Sequence, residues 1–555
     1  MIPELLREAL LPVARTVDPT GEVEAPVPTN NPAHGDYQWN FAFRLAKATK
    51  QNPRALAERL APQIAHPGIR KVEVAGPGFV NLTLDDAWLA RAVAAQVAGE
   101  RLGIAQEGAG RAVVIDYSSP NVAKRMHIGH MRSTHLGHAL DRMHRAAGWT
   151  VIADNHIGDW GTPFGKLIVA WNRWRDEAAY REDGVGELER LYVKFNQEAT
   201  PELEDEARAE TAKLQRGDPA NTALWEEFKR VSLAEFQQVY DRMGVRFDEV
   251  LGESAYQPLL ADTAARLLEA GVAEESEGAL IVRDGNNVLV VRKKDGAATY
   301  GLTDIACVLY RVERWNPARL VYVTDARQQL HFSQLFAAAK RLGVGVEMVH
   351  AYFGMLVLPE GSMSTRKGNV IRLVDLLDEA VGRARAVVDA KAPDLPADER
   401  ARIAEAVGVD AIRYADLSQN PTTNVTFEWD RMLSLEGNTA PYLLYSHARC
   451  ASLLAKAGEA PDLAALRPDH PLERELLVAI ARYPEAVATA LRGYRPNALA
   501  DHLFDLANRS NRFYHELPVL QGGEARAARL ALVEASRRVL RHGLTLLGLH
   551  PLDRM

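Results

Sequence analysis

The sequence predicts an α/β protein: a doubly wound, mainly parallel sheet interrupted by an insertion, with an α+β segment before it and an all-helical segment after it. Three observations carry that expectation. Ala112-Val113-Val114-Ile115-Asp116-Tyr117 is a continuous run rich in β-branched residues, the pattern of a strand buried on both faces. Thr150-Val151-Ile152-Ala153-Asp154 and Leu320-Val321-Tyr322-Val323 repeat the strand–loop–helix rhythm, which argues for parallel βαβ units. From about residue 376 the periodicity is almost entirely helical, with breaks at Pro441, Pro484 and Pro496.

In chain order, residues 1–108 form a first unit. It opens on helical patterning, passes a Pro/Asn-rich stretch and continues as a helix from Trp39 to Lys50. It then reaches Lys71-Val72-Glu73-Val74-Ala75 and Phe79-Val80-Asn81-Leu82-Thr83-Leu84 on either side of Gly76-Pro77-Gly78, which reads as two strands around a turn. Residues 109–375 form the α/β core. Within it, residues 170–290 read as an insertion of charged helices followed by a hairpin across Asp284-Gly285-Asn286-Asn287. Residues 376–430 read as a helical linker and 431–555 as a helical bundle.

Composition narrows the function classes. The chain has 555 residues, 47% hydrophobic and 25% charged, ordinary values for a soluble globular protein. Two cysteines, Cys307 and Cys450, exclude a disulfide framework and any cysteine-only zinc or iron–sulfur site, and fit a reducing cytosol. No run of 18 or more apolar residues occurs, and Met1 to Glu8 interrupts its apolar residues with charge. The expectation is a cytoplasmic protein with no membrane partner. Net charge is −7, which alone speaks against nucleic acid. The segment from 470 to 555 differs, with twelve arginines, no lysine and nine acids, a local balance of +3.

The sharpest chemical signal is His127-Ile128-Gly129-His130, at the first strand-to-helix turn of the expected core. Ligands of such sheets bind at the carboxyl ends of strands, and a helix N-terminus offers free N–H groups to phosphate. The two histidines are spaced to share one face, and Gly129 leaves room for a flat ring. The implied task is phosphate recognition and stabilisation of developing charge. A second signal, Ser362-Met363-Ser364-Thr365-Arg366-Lys367-Gly368-Asn369, is a small, basic loop between glycines, suited to covering a polyphosphate.

These motifs sit in longer blocks. Ser119-Pro120-Asn121-Val122-Ala123-Lys124-Arg125-Met126 precedes the histidine turn and Met131-Arg132-Ser133-Thr134 follows it. Asn155-His156-Ile157-Gly158-Asp159-Trp160-Gly161-Thr162 and Glu436-Gly437-Asn438-Thr439-Ala440-Pro441-Tyr442 lie further on. With them the sequence resembles the class I aminoacyl-tRNA synthetases, and most closely the bacterial arginyl-tRNA synthetases, over nearly the whole chain. The resemblance implies a class I Rossmann-like core, an N-terminal domain that contacts tRNA, a stem-contacting helical linker and a C-terminal anticodon-binding bundle. It also implies ATP with Mg²⁺ and no dedicated protein metal site, the substrates L-arginine and tRNA(Arg), a monomer, and adenylate formation that requires bound tRNA. Ser362 and Thr365 stand where the wider class carries lysines. Lys124 matches the position thought to supply the missing charge.

The same resemblance distributes the site. His127, His130, Lys124, Arg366 and Lys367 would stabilise the transferring group, and Gly129, Met355, Met363 and Ser364 would complete the ATP site with the two histidines. A guanidinium substrate needs a carboxylate in bidentate geometry. Asp304, four residues after Tyr300, is expected to provide it with that tyrosine. Gln328, Asp116 and Asn121 would hold the other polar groups of arginine. Tyr37 and Phe79 are candidates to stack on a splayed tRNA base, and Arg509, Arg537, Arg538 and Arg541 to meet phosphate. Two other readings share parts of the pattern: a small-molecule adenylyltransferase, which usually needs only one α/β domain, and an RNA-binding paralogue without catalysis.

Overall fold

A computed structural model describes residues 2–19, 22–29, 31–357, 371–426 and 428–555. The chain divides into two compact units. One comprises Met1–Ala105, Leu435–Leu546 and His550–Met555, the other Gln106–Ser434 and Leu547–Leu549.

The first unit holds a four-stranded antiparallel sheet of β1 (Val27–Pro28), β2 (Tyr37–Trp39), β3 (Ile69–Ala75) and β4 (Phe79–Leu84), in the order β1-β2-β4-β3. The expected hairpin is present, with Ala75 opposite Phe79. The helices of the C-terminal segment complete the unit, so the two segments read from the sequence as separate domains pack as one. The cause is a set of long-range polar contacts that no local pattern announces. Arg474 forks onto both oxygens of the Asp36 carboxylate at 3.0 and 2.7 Å and reaches Asp86 at 2.6 Å. Gln96 donates to the Ile480 carbonyl at 2.9 Å.

The second unit is built on a five-stranded, wholly parallel sheet. Its strands are β5 (Ala112–Asp116), β6 (Thr150–Ile157), β7 (Glu249–Gly252), β11 (Arg319–Tyr322) and β12 (Glu347–His350), in the order β12-β11-β5-β6-β7. Strand order runs outward from β5 in one direction and then in the other. The crevice between the carboxyl ends of β5 and β11 is therefore the topological switch point, where such sheets bind ligands. Val113, Ile115, Leu320 and Val321 are at most 1% exposed, as expected for strands covered on both faces. The helices Tyr300–Trp315 and Gln329–Arg341 contribute Ile305, Val308, Leu335 and Ala338 to the adjoining core.

The expected insertion is not one block. Five helices, from Thr162–Trp174 to Pro219–Met243, lie between β6 and β7 and bury their own core around Ile168, Leu191, Phe195 and Phe228. The longest, Pro219–Met243, starts with Pro219 at its first position while Asp218 accepts from the Ala220 and Asn221 N–H groups, a strong N-cap. The chain then returns to the sheet as β7. Only afterwards does it make a separate antiparallel sheet of β8 (Ala273–Ser276), β9 (Ala279–Asp284) and β10 (Asn287–Arg292), with Asp284 and Asn287 paired across a two-residue turn. A last pair, β13 (Leu356–Val357) with β14 (Val425–Thr426), is parallel. Among the described residues no helix is long and apolar enough to cross a membrane.

Beneath these elements Arg132 is buried. It donates to Asp416 at 2.8 Å and to the carbonyls of Gly354, Thr423 and Pro421 at 2.5, 3.1 and 3.3 Å. It anchors the chain just ahead of β13 and just ahead of β14 to the helix Ile128–Ala146.

Candidate active site

The chain leaves β5 at the switch point through a loop with unusual backbone geometry. Ser118, Ser119 and Ala123 have φ of +74°, +51° and +62°. For residues with a Cβ this left-handed region costs on the order of 1–3 kcal/mol each, and it persists only where the surroundings over-determine it. Here they do. The Ser118 N–H donates to Ser133 Oγ at 2.9 Å and the Ser119 N–H to Asn155 Oδ1 at 3.0 Å. Gly158 and the loop exchange backbone bonds, from the Gly158 N–H to the Pro120 carbonyl and from the Val122 N–H to the Gly158 carbonyl. A Cβ at Gly158 would lie 2.2 Å from Asn121 Oδ1, so a larger residue there would displace the Asn121 side chain.

His127 is the N-cap of the helix Ile128–Ala146, in extended conformation. Its Nδ1 accepts from the Gly129 N–H at 3.0 Å, and His130 Nδ1 accepts from the His127 N–H at 3.1 Å. With both Nδ1 atoms occupied as acceptors, the neutral rings carry their proton on Nε2. The rings are 4.1 Å apart. Burial, and then the positive charge of Lys124, lowers the His127 pKa; burial, and then His127, lowers that of His130 to about 3. At neutral pH the pair is uncharged. Gly129 is required here, because a Cβ would come 2.6 Å from the His127 ring. Lys124 is exposed, and its Nζ lies 5.0 Å from the centre of the Tyr192 ring.

Tyr300 opens the helix Tyr300–Trp315 and is 65% exposed, with Asp304 one turn along. Their link is His331, whose ring stands edge-on to Tyr300 at 4.9 Å and whose Nε2 lies 2.6 Å from Asp304 Oδ2. Glu253, which the sequence did not single out, faces the same place. Burial pushes its carboxyl up to about 7; His156 opposes that rise, while Asp304 and Asp159 add to it. A cation bound beside both acids would relieve that repulsion. Asn121 and Gln328 are exposed, Gln328 at the end of the turn Ala326–Gln328 after β11.

Asp116 sits in a buried ion-pair network. Its Oδ2 accepts from Arg311 at 2.7 Å, and the same guanidinium donates to Asp154 at 3.0 Å through Nε. Arg311 and Asp154 are fully buried. The parallel register sets Asp116 beside Asp154, and two adjacent buried carboxylates need a cation between them. The Asp116 carboxylate thus shares this buried ion pair through Oδ2, while its Oδ1 accepts from the Ser119 hydroxyl at 3.1 Å.

Tyr37 is placed in the interior. It is 0% exposed, and its hydroxyl donates to Glu485 at 2.5 Å, so no base can stack on it. Phe79 is half-buried against Phe43, ring centres 4.8 Å apart. The four expected phosphate-binding arginines have carboxylate partners. Arg509 meets Asp505 at 2.8 Å, Arg537 and Arg538 share Glu534 at 2.8 and 2.7 Å, and Arg541 meets Asp553 at 3.3 Å. In the same unit a cavity of about 510 Å³, lined by Tyr445, Arg449, Lys456, Tyr514 and Met555, has a different character. The Arg449 guanidinium lies 4.7 Å from the Tyr445 ring and 5.3 Å from that of Tyr514, and donates to Asn511 at 2.9 Å. Both tyrosines are about two-fifths exposed. The i,i+4 pair Tyr445 and Arg449 was the available sequence signal.

Met355 is exposed; its N–H donates to Asn424 at 2.9 Å. Met363, Ser364, Arg366 and Lys367 lie outside the described residues.

Comparison with known proteins gives a consistent picture. Residues 92–429 match the family described as tRNA synthetases class I (R), catalytic domain. Residues 443–555 match the DALR anticodon binding domain, and residues 1–84 the arginyl tRNA synthetase N terminal domain. The chain is 44% identical over 545 residues to the arginine–tRNA ligase of Fusobacterium nucleatum, covering 96% of this chain and 95% of that protein. It is 38% identical over 579 residues to that of Escherichia coli, covering 100% and 99%. The solved arginyl-tRNA synthetase of Thermus thermophilus superposes with a TM-score of 0.86 at 27% identity over 100% of both chains.

Proposed function

The chain belongs to the class I arginyl-tRNA synthetases, and from that premise we propose how its residues divide the reaction. The enzyme attaches L-arginine to tRNA in two steps. An arginine carboxylate oxygen attacks the α-phosphorus of ATP and pyrophosphate leaves. A ribose hydroxyl of the terminal adenosine of tRNA then attacks the carbonyl of the adenylate, and AMP leaves.

Neither step needs a protein nucleophile, so the protein's task is positioning and charge stabilisation. The observation that carries the assignment is the pair of imidazoles at the helix N-terminus. Each has Nδ1 engaged by the backbone, which leaves Nε2–H as its ligand-facing donor. Two fixed neutral donors beside a helix dipole meet the charge that grows on the α-phosphate and leaving group without reorganising. Lys124 adds a positive charge close enough to depress both histidines, and Arg366 and Lys367 supply more from the second loop. Gly129, Met355, Met363 and Ser364 complete the ATP site. Mg²⁺ carried in with ATP would supply further neutralisation of phosphate charge. Among the described residues no group of three or more His, Cys, Asp or Glu is placed to hold a metal.

Asp304, with Tyr300 and Glu253, takes the guanidinium, while Asn121 and Gln328 hold the α-amino and carboxylate end. The tyrosine–arginine cavity around Arg449 takes an unstacked tRNA base, since stacking on exposed aromatics suits single-stranded RNA. Phe79 offers a partly exposed ring to the same substrate. The enzyme works in the cytoplasm, a reading its two buried free thiols support; it acts as a monomer and forms the adenylate only with tRNA bound. Light scattering checks the monomer. Pyrophosphate exchange with each of the twenty amino acids, with and without tRNA, tests the rest. Exchange confined to arginine and dependent on tRNA is expected; exchange driven by another amino acid would overturn the pocket assignment.

A further inference from the structure

The left-handed residues Ser118 and Ala123 bracket Pro120-Asn121 and stand just ahead of Lys124 and His127. Each is held by a hydroxyl from one helix, Pro219–Met243, which belongs to the insertion between β6 and β7. At the first point, Tyr240 Oη lies 2.7 Å from Ser118 Oγ and accepts from Asn155 Nδ2 at 3.1 Å. Asn155 in turn accepts the Ser119 N–H. At the second, Ser232 Oγ accepts the Ala123 N–H at 2.9 Å and donates to the Phe228 carbonyl at 2.7 Å. Ser232 and Tyr240 are eight residues apart, close to two turns and a fraction. They present two hydroxyls along one side of a single rigid rod. Both are buried, as are Ser118 and Ala123. Ser118 is tied onward to the histidine helix, for Thr134 Oγ1 lies 2.8 Å from Ser118 Oγ and 2.8 Å from the His130 carbonyl.

We infer that Ser232 and Tyr240 are positioning residues for catalysis: through them the inserted helix holds the strained 118–123 loop in the one conformation that presents Asn121 and Lys124 to substrate. An alanine or serine prefers right-handed or extended backbone. Without the two hydroxyls the loop relaxes at these points, and the groups it carries move by about an ångström. A shift of that size costs about 100-fold in rate when a reacting group must meet a fixed partner. This inference rests on the assignment of Lys124 and Asn121 to the substrate site. It adds that the insertion contributes to chemistry through two hydroxyls that touch no substrate.

The test uses the full-length enzyme with arginine, ATP and tRNA. Ser232→Ala and Tyr240→Phe each remove one hydroxyl while keeping the surrounding packing. Each is expected to lower kcat for arginine-dependent pyrophosphate exchange about tenfold, and the double variant about 100-fold, with the KM for tRNA unchanged. The decisive variant is Ala123→Gly in the Ser232→Ala background. Glycine adopts positive φ at no steric cost, so it recovers kcat to within about threefold of the parent. Wild-type kcat in the double variant would overturn the inference. So would a Ser232→Ala defect that Ala123→Gly leaves unrepaired, because the hydroxyl would then be acting through packing alone. A wild-type enzyme that fails to exchange pyrophosphate with arginine would instead remove the reading on which the inference rests.

Discussion

Two cation-bearing regions of this chain put their charge to opposite uses. At the turn after β5 the groups are few: two neutral imidazoles whose Nδ1 atoms are spent on the backbone, and one exposed lysine. In the C-terminal helices the groups are many, twelve arginines against nine acids from 470 to 555. Yet Arg509, Arg537, Arg538 and Arg541 each lie on a carboxylate of the same unit. The tally of charge is a poor guide to where a polyanion binds. What separates the regions is whether the fold has already supplied the partner. Arg449 makes the point inside the tail itself, since it lies over two tyrosines and donates to an amide.

The largest expected effect strikes the first region. His127→Ala with His130→Ala should lower arginyl-adenylate formation by about 10³-fold or more, read as pyrophosphate exchange with tRNA present. A near-normal rate would erase the contrast. Next, Asp304→Asn should raise the arginine KM about 100-fold, the loss of one charge-assisted pair, with kcat much less affected. A third effect follows from Glu253, whose carboxyl sits at about 7. Above that pH it is charged and attracts the guanidinium; below it the group is neutral and the attraction fades. The arginine KM should therefore rise about tenfold between pH 8 and pH 6, and Glu253→Gln should flatten that dependence. The smallest effects divide the tail. Tyr514→Ala or Arg449→Ala should raise the tRNA KM about tenfold, one base-stacking contact, whereas Arg538→Ala should change it less than about twofold because its charge is already neutralised. Equal effects at Arg449 and Arg538 would show that bulk charge, not placement, governs the tail.

Legibility in the sequence followed the range of the interactions. Strands covered on both faces announce themselves, so the runs at Val113, Val151 and Leu320 mark β5, β6 and β11. β7 and β12 are four-residue strands that begin with glutamate; at the sheet's edges they carry no apolar run, and β7 was absorbed into the expected insertion. The histidine turn was legible because its geometry is local: a cap, a glycine and a second ring within four residues. The polar partners of Asp116 and Tyr37 are not legible locally because they are distant in the chain. Arg311 is 195 residues from Asp116, and Glu485 is 448 from Tyr37. The left-handed φ values of Ser118 and Ala123 carried no signal either, since neither position is glycine.

The interior guanidinium of Arg132, met by one carboxylate and three backbone carbonyls, has a consequence for handling the protein. This molecule stabilises in its own core the same planar cation that its substrate carries at the tip. Guanidinium chloride is for this chain both a denaturant and a fragment of the substrate. With Asp304 and Glu253 holding the substrate guanidinium as proposed, low concentrations should compete there before they loosen the fold, and activity should be lost ahead of structure. Urea offers the guanidinium pocket no cation, and unfolding measured in urea keeps occupation of the pocket apart from the collapse of the sheet.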